Sequence, residues 1–296
     1  MPVYTVEGEN ATRLYAKNGT PLQQAYNVNG AEVYQWGGSL KVATYNVGQW
    51  YYGGHVVVPS SKDAEYYALQ NGMLHNINPD ILCLEEYLSE FSAAGRSAVT
   101  MLQQYFPYIH EENGTGTVSS GTGRCICSKY PISDYTTHQY TTSGGPRYFD
   151  SCTVNLFGTP VTVVVTHLNY NANSDSARLG QLRELITYLQ TQTRFIACGD
   201  FNMLACKSTT DADYLSMMVP LLNAGFHCAN CTDFGFLETY SDAPTGPYTG
   251  CLDNIVTSSN IAITSAYVDE TKLTDQLTER TDHMPLVATL QIGGIT

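Results

Sequence analysis

Basic residues are scarce in this chain. It has 14 Lys plus Arg against 27 Asp plus Glu in 296 residues, and its formal net charge is −13. Proteins that grip nucleic acid without sequence preference usually carry a basic face, so this charge argues against tight non-specific DNA binding. It does not exclude a phosphoester substrate, because four arginines lie in or beside the polar motifs described below. These are Arg124, Arg147, Arg178 and Arg280.

Long apolar runs are also absent. No stretch approaches the roughly 20 apolar residues that a membrane-spanning helix needs. Residues 1–7 have neither the basic region nor the long apolar region of a signal peptide. We therefore expect no transmembrane segment and a protein that is cytoplasmic at synthesis, with release by cell lysis left open. The apolar content of 43% and the chain length allow one large two-sheet domain plus an extension.

The nine cysteines are an odd number, which argues against a complete disulfide framework. Four lie in apolar runs and are expected to be small buried hydrophobic side chains: Cys83, Cys125, Cys127 and Cys198. Cys228 and Cys231 form a Cys-x-x-Cys motif in a loop-rich stretch. A disulfide or a structural zinc site could also use Cys206 and Cys251. The spacing lacks a second tight pair, so free thiols are the favoured interpretation.

Short polar segments interrupt the chain, and nearly every one follows an apolar run. The runs are too short for helices and rich in β-branched and aromatic residues, which indicates buried strands. Polar side chains at the ends of several strands can meet at one rim of a rigid sheet. Asn, Glu, Asp and His are the groups needed to hold a hard divalent cation and attack a phosphate ester. The six segments are Tyr45-Asn46-Val47, Glu85-Glu86, Thr166-His167-Leu168-Asn169, Gly199-Asp200-Phe201-Asn202, Leu252-Asp253-Asn254 and Thr281-Asp282-His283.

Two helices are predicted between the strands. Ser60 and Asp63 have capping-box spacing at the start of the first. Its apolar stripe is Tyr66, Leu69, Met73 and Ile77. The second starts near Ser174, with Arg178 in its first turn, and its stripe is Leu182, Leu185, Ile186 and Leu189. A helix N-terminus and an arginine just after His167 would favour a nearby anionic group.

The motifs resemble those of the endonuclease/exonuclease/phosphatase superfamily, also called DNase-I-like. Seven matching segments occur in the family's order and cover about residues 40–292. The most specific are Gly199-Asp200-Phe201-Asn202 and Thr281-Asp282-His283, and the others are residues 43–47, 80–86, 124–132, 166–168 and 252–255. The resemblance implies an α+β fold, namely a four-layer α/β/β/α sandwich of two packed mixed β-sheets flanked by helices. Residues 40–296 would form this catalytic domain.

The resemblance implies a divalent-metal-dependent phosphoesterase, with Mg²⁺ as the cofactor and Mn²⁺ as a substitute. Mg²⁺ prefers oxygen ligands and keeps several waters, so one or two carboxylates plus substrate suffice. Glu86 matches the family's metal-binding Glu and is the first expected ligand. Asn46 and Asp282 are the expected further oxygen ligands. Glu85 stands where the family often has Gln, and it could add charge to the site or point away into solvent.

His283 is the leading candidate for the general base, because an imidazole titrates near neutrality. The resemblance implies that Asp253 holds the other ring nitrogen of His283 and favours its protonated form. It also implies that Asp200 and Asn202 position the attacking water and the phosphate. In some family members the carboxylate that matches Asp200 is itself the proposed base, so the choice between Asp200 and His283 stays open.

Other polar residues are expected to contact the substrate. His167 would donate a hydrogen bond to a phosphoryl oxygen and help to stabilise the transition state. Asn202, Arg178 and Arg147 are the expected substrate-binding residues. The leaving-group side is undefined, because residues 111–121, where some family nucleases carry an assisting side chain, are rich in Gly and Ser.

Residues 1–39 form a separate compositional region. The pattern Tyr-x-x-Asn-Gly-x-x-apolar occurs at Tyr15–Leu22 and again, 11 residues later, at Tyr26–Val33. Asn-Gly between β-forming residues is a strong hairpin signal, so two small hairpins are predicted. They could extend a sheet of the catalytic domain or serve for attachment to a partner.

Three functions remain open from the sequence. A nuclease of the DNase-I-like type is favoured, with nucleic acid preferred over lipid as the substrate. A sphingomyelinase-like or inositol-phosphate phosphoesterase is the second, and the aromatic residues 50–52 could meet a lipid surface or stack on a base. The third is a non-catalytic binding module on the same fold, although the intact set of site residues argues against it.

Overall fold

The structure is a computed structural model, and it describes residues 24–26, 32–35, 38–48, 72–87, 92–93, 96–112, 123–142, 147–170, 175–203, 206–240, 249–269 and 283–293. The strands are β1 (Gln24–Tyr26), β2 (Glu32–Gln35), β3 (Gly38–Asn46), β4 (Ile81–Glu85), β5 (Ser92–Ala93), β6 (Arg96–Ser97), β7 (Tyr108–Glu112), β8 (Arg124–Ser128), β9 (Ile132–Gln139), β10 (Tyr148–Leu156), β11 (Thr159–His167), β12 (Phe195–Asp200), β13 (His227–Cys228), β14 (Asp253–Thr257), β15 (Ile261–Val268) and β16 (Leu286–Ile292). The helices are α1 (residues 72–77), α2 (Ala98–Leu102), α3 (Asp175–Gln190) and α4 (Val219–Asn223), with a π-helical turn at Tyr214–Met218 before α4.

Most strands belong to two six-stranded sheets. Sheet A has the order β15-β16-β3-β4-β8-β7, and sheet B has the order β13-β14-β12-β11-β10-β9. Both sheets are mixed, because β3–β4 and β11–β12 pair in parallel while the other neighbours are antiparallel. Two neighbouring parallel strands have their carboxyl ends at the same edge of the sheet. This places Asn46 beside Glu85 in sheet A and His167 beside Asp200 in sheet B.

A hydrophobic core joins the two sheets, and further cores lie on their other faces. Val163 and Val165 of β11 belong to the core shared with sheet A, whereas Val164 belongs to the core that contains residues of α3 and α4. Successive residues of a strand face opposite sides, so burial of both faces requires a continuous apolar run. Each fully buried Val or Ile contributes about 1.5–3 kcal/mol to stability. Two mixed six-stranded sheets with few helices are consistent with the predicted sandwich.

The other predicted elements fall partly inside the described residues. β1 and β2 pair antiparallel on either side of the sequence Asn29-Gly30, as the second predicted hairpin requires. The first predicted hairpin, at Tyr15–Leu22, lies outside the described residues, and the division after residue 39 stays a prediction. α1 is the described part of the first predicted helix, and α3 begins one residue after Ser174. In the described part of the chain, no helix combines the length and apolar character that crossing a membrane requires.

Candidate active site

The ends of several strands meet at one rim of the two sheets. β3 ends at Asn46, β4 at Glu85, β11 at His167 and β12 at Asp200, and β14 begins at Asp253. β14 runs antiparallel to β12, so its first residue pairs with Asp200. The side-chain amide of Asn46 donates to Oδ2 of Asp200 at 3.1 Å. This hydrogen bond links the rim of sheet A to the rim of sheet B.

His283 and Asp253 form a buried hydrogen-bonded pair. Nδ1 of His283 lies 2.8 Å from Oδ2 of Asp253, and both side chains are buried. The ring of Tyr240 packs edge-on against the imidazole, with ring centroids 5.1 Å apart. A carboxylate next to Nδ1 favours the tautomer that carries its hydrogen on that nitrogen. Nε2 of His283 is then the acceptor nitrogen, and it lies 3.6 Å from Oδ2 of Asp200.

Asp200 is in contact with most of the other predicted site residues. Its Oδ1 accepts a hydrogen bond from the backbone N–H of Asn202 at 2.8 Å. Its Oδ2, which contacts Asn46 and His283, also lies 3.5 Å from Nε2 of His167. Donors on both oxygens hold a buried carboxylate in one orientation. The structure thus brings Asn46, His167, Asp200, Asn202 and His283 together around one carboxylate.

Burial raises the pKa of Asp200 to about 7. The nearby Asp253 adds to this rise because two carboxylates repel each other, whereas His283, Asn46 and Asn202 oppose it. A carboxyl group that titrates near neutrality can take up or release a proton at physiological pH. The geometry therefore leaves both Asp200 and His283 as candidates for the general base.

Glu86 and Asn46 form another part of the rim. Nδ2 of Asn46 lies 3.4 Å from Oε1 of Glu86, and Oδ1 of Asn46 accepts the N–H of Gly48 at 2.9 Å. The amide therefore turns its nitrogen, not its oxygen, toward the carboxylates. Glu86 is half-buried and has a φ of 51°, in the left-handed region that non-glycine residues seldom adopt. Such residues cluster at functional sites. Asp282, the third predicted metal ligand, lies outside the described residues.

Glu85 points into the protein and not into solvent. Its Oε1 accepts a hydrogen bond from the Thr44 hydroxyl at 2.9 Å, and its Oε2 is buried without a hydrogen-bond partner among the described residues. Burial, assisted by the nearby Asp253, raises the pKa of Glu85 well above its ordinary value. Of the two alternatives for Glu85, the solvent-directed one is therefore wrong. Glu85 ends the central strand β4, where it pairs with Asn46 of β3 and Arg124 of β8, and its side chain is fully buried.

Arg178 and Asn202 hold the chain that follows β12. The guanidinium of Arg178 donates to the backbone carbonyl of Asn202, and it pairs with Asp213 at 3.0 Å. Asn202 has a φ of 54°, and its side-chain amide donates to the Leu168 carbonyl at 2.9 Å. These bonds position the residues next to Asp200. Phosphate contacts by Arg178 and Asn202 stay predictions.

Arg147 lies near Glu86 and Asp200 and has a hydrogen-bond donor without a partner among the described residues. Its guanidinium lies over the ring of Tyr170, 5.8 Å from the centroid, and Tyr170 is 66% exposed. Nη1 of Arg147 is buried and has no hydrogen-bond partner among the described residues. Burial lowers the pKa of Arg147, and the negative charges of Glu86 and Asp200 oppose this shift. A buried cationic donor of this kind fits the predicted contact with an anionic phosphate.

Two buried side chains near these strand ends carry no motif signal. Asp150 of β10 binds Arg124 of β8 through two hydrogen bonds, of 2.5 and 3.1 Å, which tie sheet B to sheet A. Asn230 donates from its side-chain amide to the backbone carbonyl of Asp253 at 3.0 Å. Asp150 stands outside any spacing pattern, and Asn230 is one of the two residues between Cys228 and Cys231, whose spacing draws attention to the cysteines alone. This is why the sequence did not reveal Asp150 or Asn230.

The donors present fit a divalent cation. One ligand atom each from Asp200, Asp253 and His283 can be chosen so that all three lie within 4.8 Å of one another, and the three residues are buried. Oδ1 of Asp253 is buried without a hydrogen-bond partner among the described residues. Carboxylates and an imidazole suit Mn²⁺, and carboxylates suit Mg²⁺. Glu86 is the other candidate donor, and Asn46 could join it only with its amide rotated so that the oxygen leaves the Gly48 N–H. Neither residue would disturb the bond between His283 and Asp253.

The chain belongs to the Endonuclease/Exonuclease/phosphatase family, whose sequence profile matches residues 25–283. This confirms the resemblance carried by the motifs. The chain is also similar to human Sphingomyelin phosphodiesterase 2, with 27% identity over 185 residues. The match covers 56% of this chain and 42% of that protein, so less than half of the relative's length is represented.

Solved structures of this family share the fold. The endonuclease/exonuclease/phosphatase from Beutenbergia cavernae DSM 12333 has a TM-score of 0.63 at 18% identity, covering 86% of this chain and 72% of that chain. D. rerio TDP2, complexed with single strand DNA product, has a TM-score of 0.62 at 16% identity, covering 85% and 98% respectively. At these identities the likeness concerns the fold. The family profile and the shared fold define the chain as a member of the endonuclease/exonuclease/phosphatase family.

Proposed function

We propose that this protein is a divalent-metal-dependent phosphodiesterase that uses Mg²⁺, with Mn²⁺ as a substitute. The observation that carries the proposal is the position of the Asp200 carboxylate between Asn46, His167 and His283, next to the pair of His283 and Asp253. When bound, the cation neutralises charge on the phosphoryl oxygens and stabilises the leaving oxyanion. Glu86 is the proposed first ligand, with an oxygen of Asp282 beside it. Asn46 would add its amide oxygen after a rotation that breaks the hydrogen bond from the Gly48 N–H and turns that oxygen toward Glu86.

His283 is the better supported general base. Its Nδ1 is engaged by Asp253, so Nε2 can accept a proton from water while the carboxylate stabilises the resulting imidazolium. Asp200, with Nε2 of His283 3.6 Å away, would orient the water by accepting its other hydrogen bond. A base role for Asp200 is the alternative, and its pKa near 7 supports that alternative.

The remaining side chains would bind the phosphate and hold the site in shape. His167 would donate to a phosphoryl oxygen as charge develops there, and Arg147 would pair with a second oxygen through its buried Nη1. Arg178 and Asn202 support these groups through the chain after β12, and they are proposed to contact the phosphate as it enters.

Two substrate classes remain, and each has its own supporting observations. A nucleic-acid substrate, the preference from the motifs, is supported by the shared fold with D. rerio TDP2, whose structure contains a single strand DNA product. A phospholipid head group is supported by the similarity to human Sphingomyelin phosphodiesterase 2 and by the net charge of −13, which disfavours the DNA backbone.

A substrate panel with matched variants tests the proposal. The wild-type protein, Asp200→Ala, His283→Ala and the exposed-histidine control His75→Ala would be incubated with Mg²⁺, with Mn²⁺ or with EDTA. A nuclease nicks supercoiled plasmid, whereas a lipid enzyme leaves plasmid intact and releases phosphocholine from sphingomyelin vesicles. Either activity should vanish in EDTA and in both site variants but persist in His75→Ala. A folded protein that hydrolyses neither substrate nor bis(p-nitrophenyl) phosphate would support the non-catalytic binding module instead.

A further inference from the structure

Three buried cysteine side chains lie close together in the core that contains α3 and α4. Sγ of Cys206 is 2.8 Å from Sγ of Cys231, and Cys231 also makes a side-chain hydrogen bond with Cys251. The three residues are at most 1% exposed. All three are free thiols in the structure.

The two sulfurs of Cys206 and Cys231 are closer than a non-bonded contact allows. Even carbon atoms, which are smaller than sulfur, prefer separations of about 3.5–4.0 Å. Cys125 and Cys127, another buried pair, keep their sulfurs 3.5 Å apart. Removal of the two thiol hydrogens would let Cys206 and Cys231 bond with a movement of less than about 1 Å.

The backbone holds Cys231 independently of its sulfur. Cys231 has a φ of 59°, in the left-handed region, and its N–H donates to Oδ1 of Asn230 at 2.8 Å. The same Asn230 side chain donates to the carbonyls of Asp253 and Leu237. Cys231 is therefore fixed beside the residue that supports the start of β14.

The arrangement suits a disulfide better than a metal site. Among the described residues, the one cluster of metal-ligand side chains whose atoms all lie within 4.8 Å is Asp200, Asp253 and His283. The sulfurs of Cys206, Cys231 and Cys251 do not meet that criterion.

We propose that Cys206 and Cys231 form a disulfide that braces the catalytic rim. The bond would join the chain that follows Asn202, where the N–H of Cys206 donates to the Met203 carbonyl, to the segment in which Asn230 holds Asp253. Each thiol loses one hydrogen and one Sγ–Sγ bond forms. The two electrons and two protons pass to a disulfide oxidant of the glutathione class, which is reduced to two thiols. Because both sulfurs are buried, the bond forms while the chain folds.

Peptide mapping tests the pairing directly. The full-length protein is refolded from denaturant with a mixture of oxidised and reduced glutathione, denatured, alkylated without reductant and digested. The expected product is a peptide pair that joins Cys206 to Cys231 and separates on reduction. Free thiols at both positions in the refolded protein, or a link between Cys231 and Cys251, would overturn the proposal. So would stoichiometric zinc that is lost in Cys206→Ser.

Thermal unfolding supplies the second readout. Reduction is expected to lower the melting temperature of the refolded protein by about 5–10 °C, because the cross-link restricts the unfolded chain. Cys206→Ser and Cys231→Ser should melt at the same temperature with or without reductant. The matched control is Cys228→Ser, since Cys228 is equally buried and belongs to the same Cys-x-x-Cys motif. It should keep the full response to reductant, and loss of that response in Cys228→Ser would contradict the assigned pairing.

Discussion

The two sides of the rim differ in the length of the hydrogen bonds that hold their carboxylates. The His283 side comprises His283, Asp253, Asp200 and Asn202, and the Glu86 side comprises Glu86, Asn46 and Arg147. On the His283 side, hydrogen bonds of 2.8 Å join His283 to Asp253 and Asn202 to Asp200. Asp253 is itself held by Asn230 through its backbone. These hydrogen bonds set the relative positions of the groups, which suits residues that are proposed to act on a water molecule in a fixed geometry.

The Glu86 side has a longer hydrogen bond and a buried donor without a partner among the described residues. The contact between Asn46 and Glu86 is 3.4 Å long, at the outer limit of a hydrogen bond. Nη1 of Arg147 is buried without a hydrogen-bond partner among the described residues, and the neighbouring Tyr170 is 66% exposed. A buried unsatisfied donor costs about 1–3 kcal/mol, which binding of an anion would recover.

In the proposed function, this difference corresponds to two tasks within one site. The His283 side would serve proton transfer, and the Glu86 side would bind the cation and the substrate phosphate. Substitutions on the first side should therefore lower kcat. Substitutions on the second should instead change the dependence of the rate on metal or substrate concentration.

Removal of the His283 imidazole is expected to have the largest effect. His283→Ala should lower kcat by about 10³-fold, because the water loses its proton acceptor. The measurement is steady-state hydrolysis of bis(p-nitrophenyl) phosphate at saturating Mg²⁺. His75→Ala, at an exposed position, serves as the control. A kcat for His283→Ala within threefold of wild type would contradict the assignment of proton transfer to His283 and favour Asp200 as the base.

Glu86→Gln should change how the hydrolysis rate depends on the Mg²⁺ concentration. Loss of one carboxylate charge is expected to raise the Mg²⁺ concentration for half-maximal rate by about 10–100-fold, with a smaller change in kcat at saturating Mg²⁺. A magnesium titration of the hydrolysis rate measures this shift. The exposed Glu238→Gln is the matched control. An unchanged titration for Glu86→Gln would place the cation at the group of Asp200, Asp253 and His283 instead.

Arg147→Ala should weaken substrate binding. A hydrogen bond to a charged group is worth about 1.5–3 kcal/mol, so KM should rise by roughly 10-fold or more with little change in kcat. Arg147→Lys should recover part of the loss, since it keeps the charge but not the fork of donors. If KM stays at the wild-type value while kcat falls, Arg147 belongs functionally with the His283 side.

Asp200→Asn should change the pH dependence of stability without metal. The pKa of Asp200 is about 7 in the folded protein against an ordinary value of 3.8, so the folded state binds the proton more tightly. The stabilisation of the folded state by this proton is fully present below about pH 4 and is lost as the pH rises to 7. The melting temperature of Asp200→Asn relative to wild type, measured in EDTA, should therefore increase from pH 4 to 7 and then level off. A constant difference across this range would show that the carboxyl titrates normally.

Sequence patterns predicted the strands that end at the rim and the convergence of several polar side chains there. Each short apolar run is a local signal, and Asn46, His167, Asp200 and Asp253 each stand where such a run ends or begins. Strand termini tend to gather at sheet edges, so the convergence of these residues could be predicted. The family resemblance supplied His283, which follows no apolar run.

The bonding of the buried polar groups was decided by the tertiary structure. Asn46 and Asp200 are 154 positions apart, and no local pattern indicates that the amide nitrogen faces the carboxylate. Arg178 was predicted from its place in a helix, but its described bonds to Asn202 and Asp213 depend on the path of the chain after β12.

The sequence by itself determined which segments become strands and which chemical groups stand at their ends, because both follow from neighbouring residues. Which groups pair, which stay buried and unpaired, and how near Asp200 comes to titrating at neutral pH were set only when the sheets packed. A hydrogen bond or a desolvated carboxylate depends on every element that surrounds it, and those elements are distant along the chain.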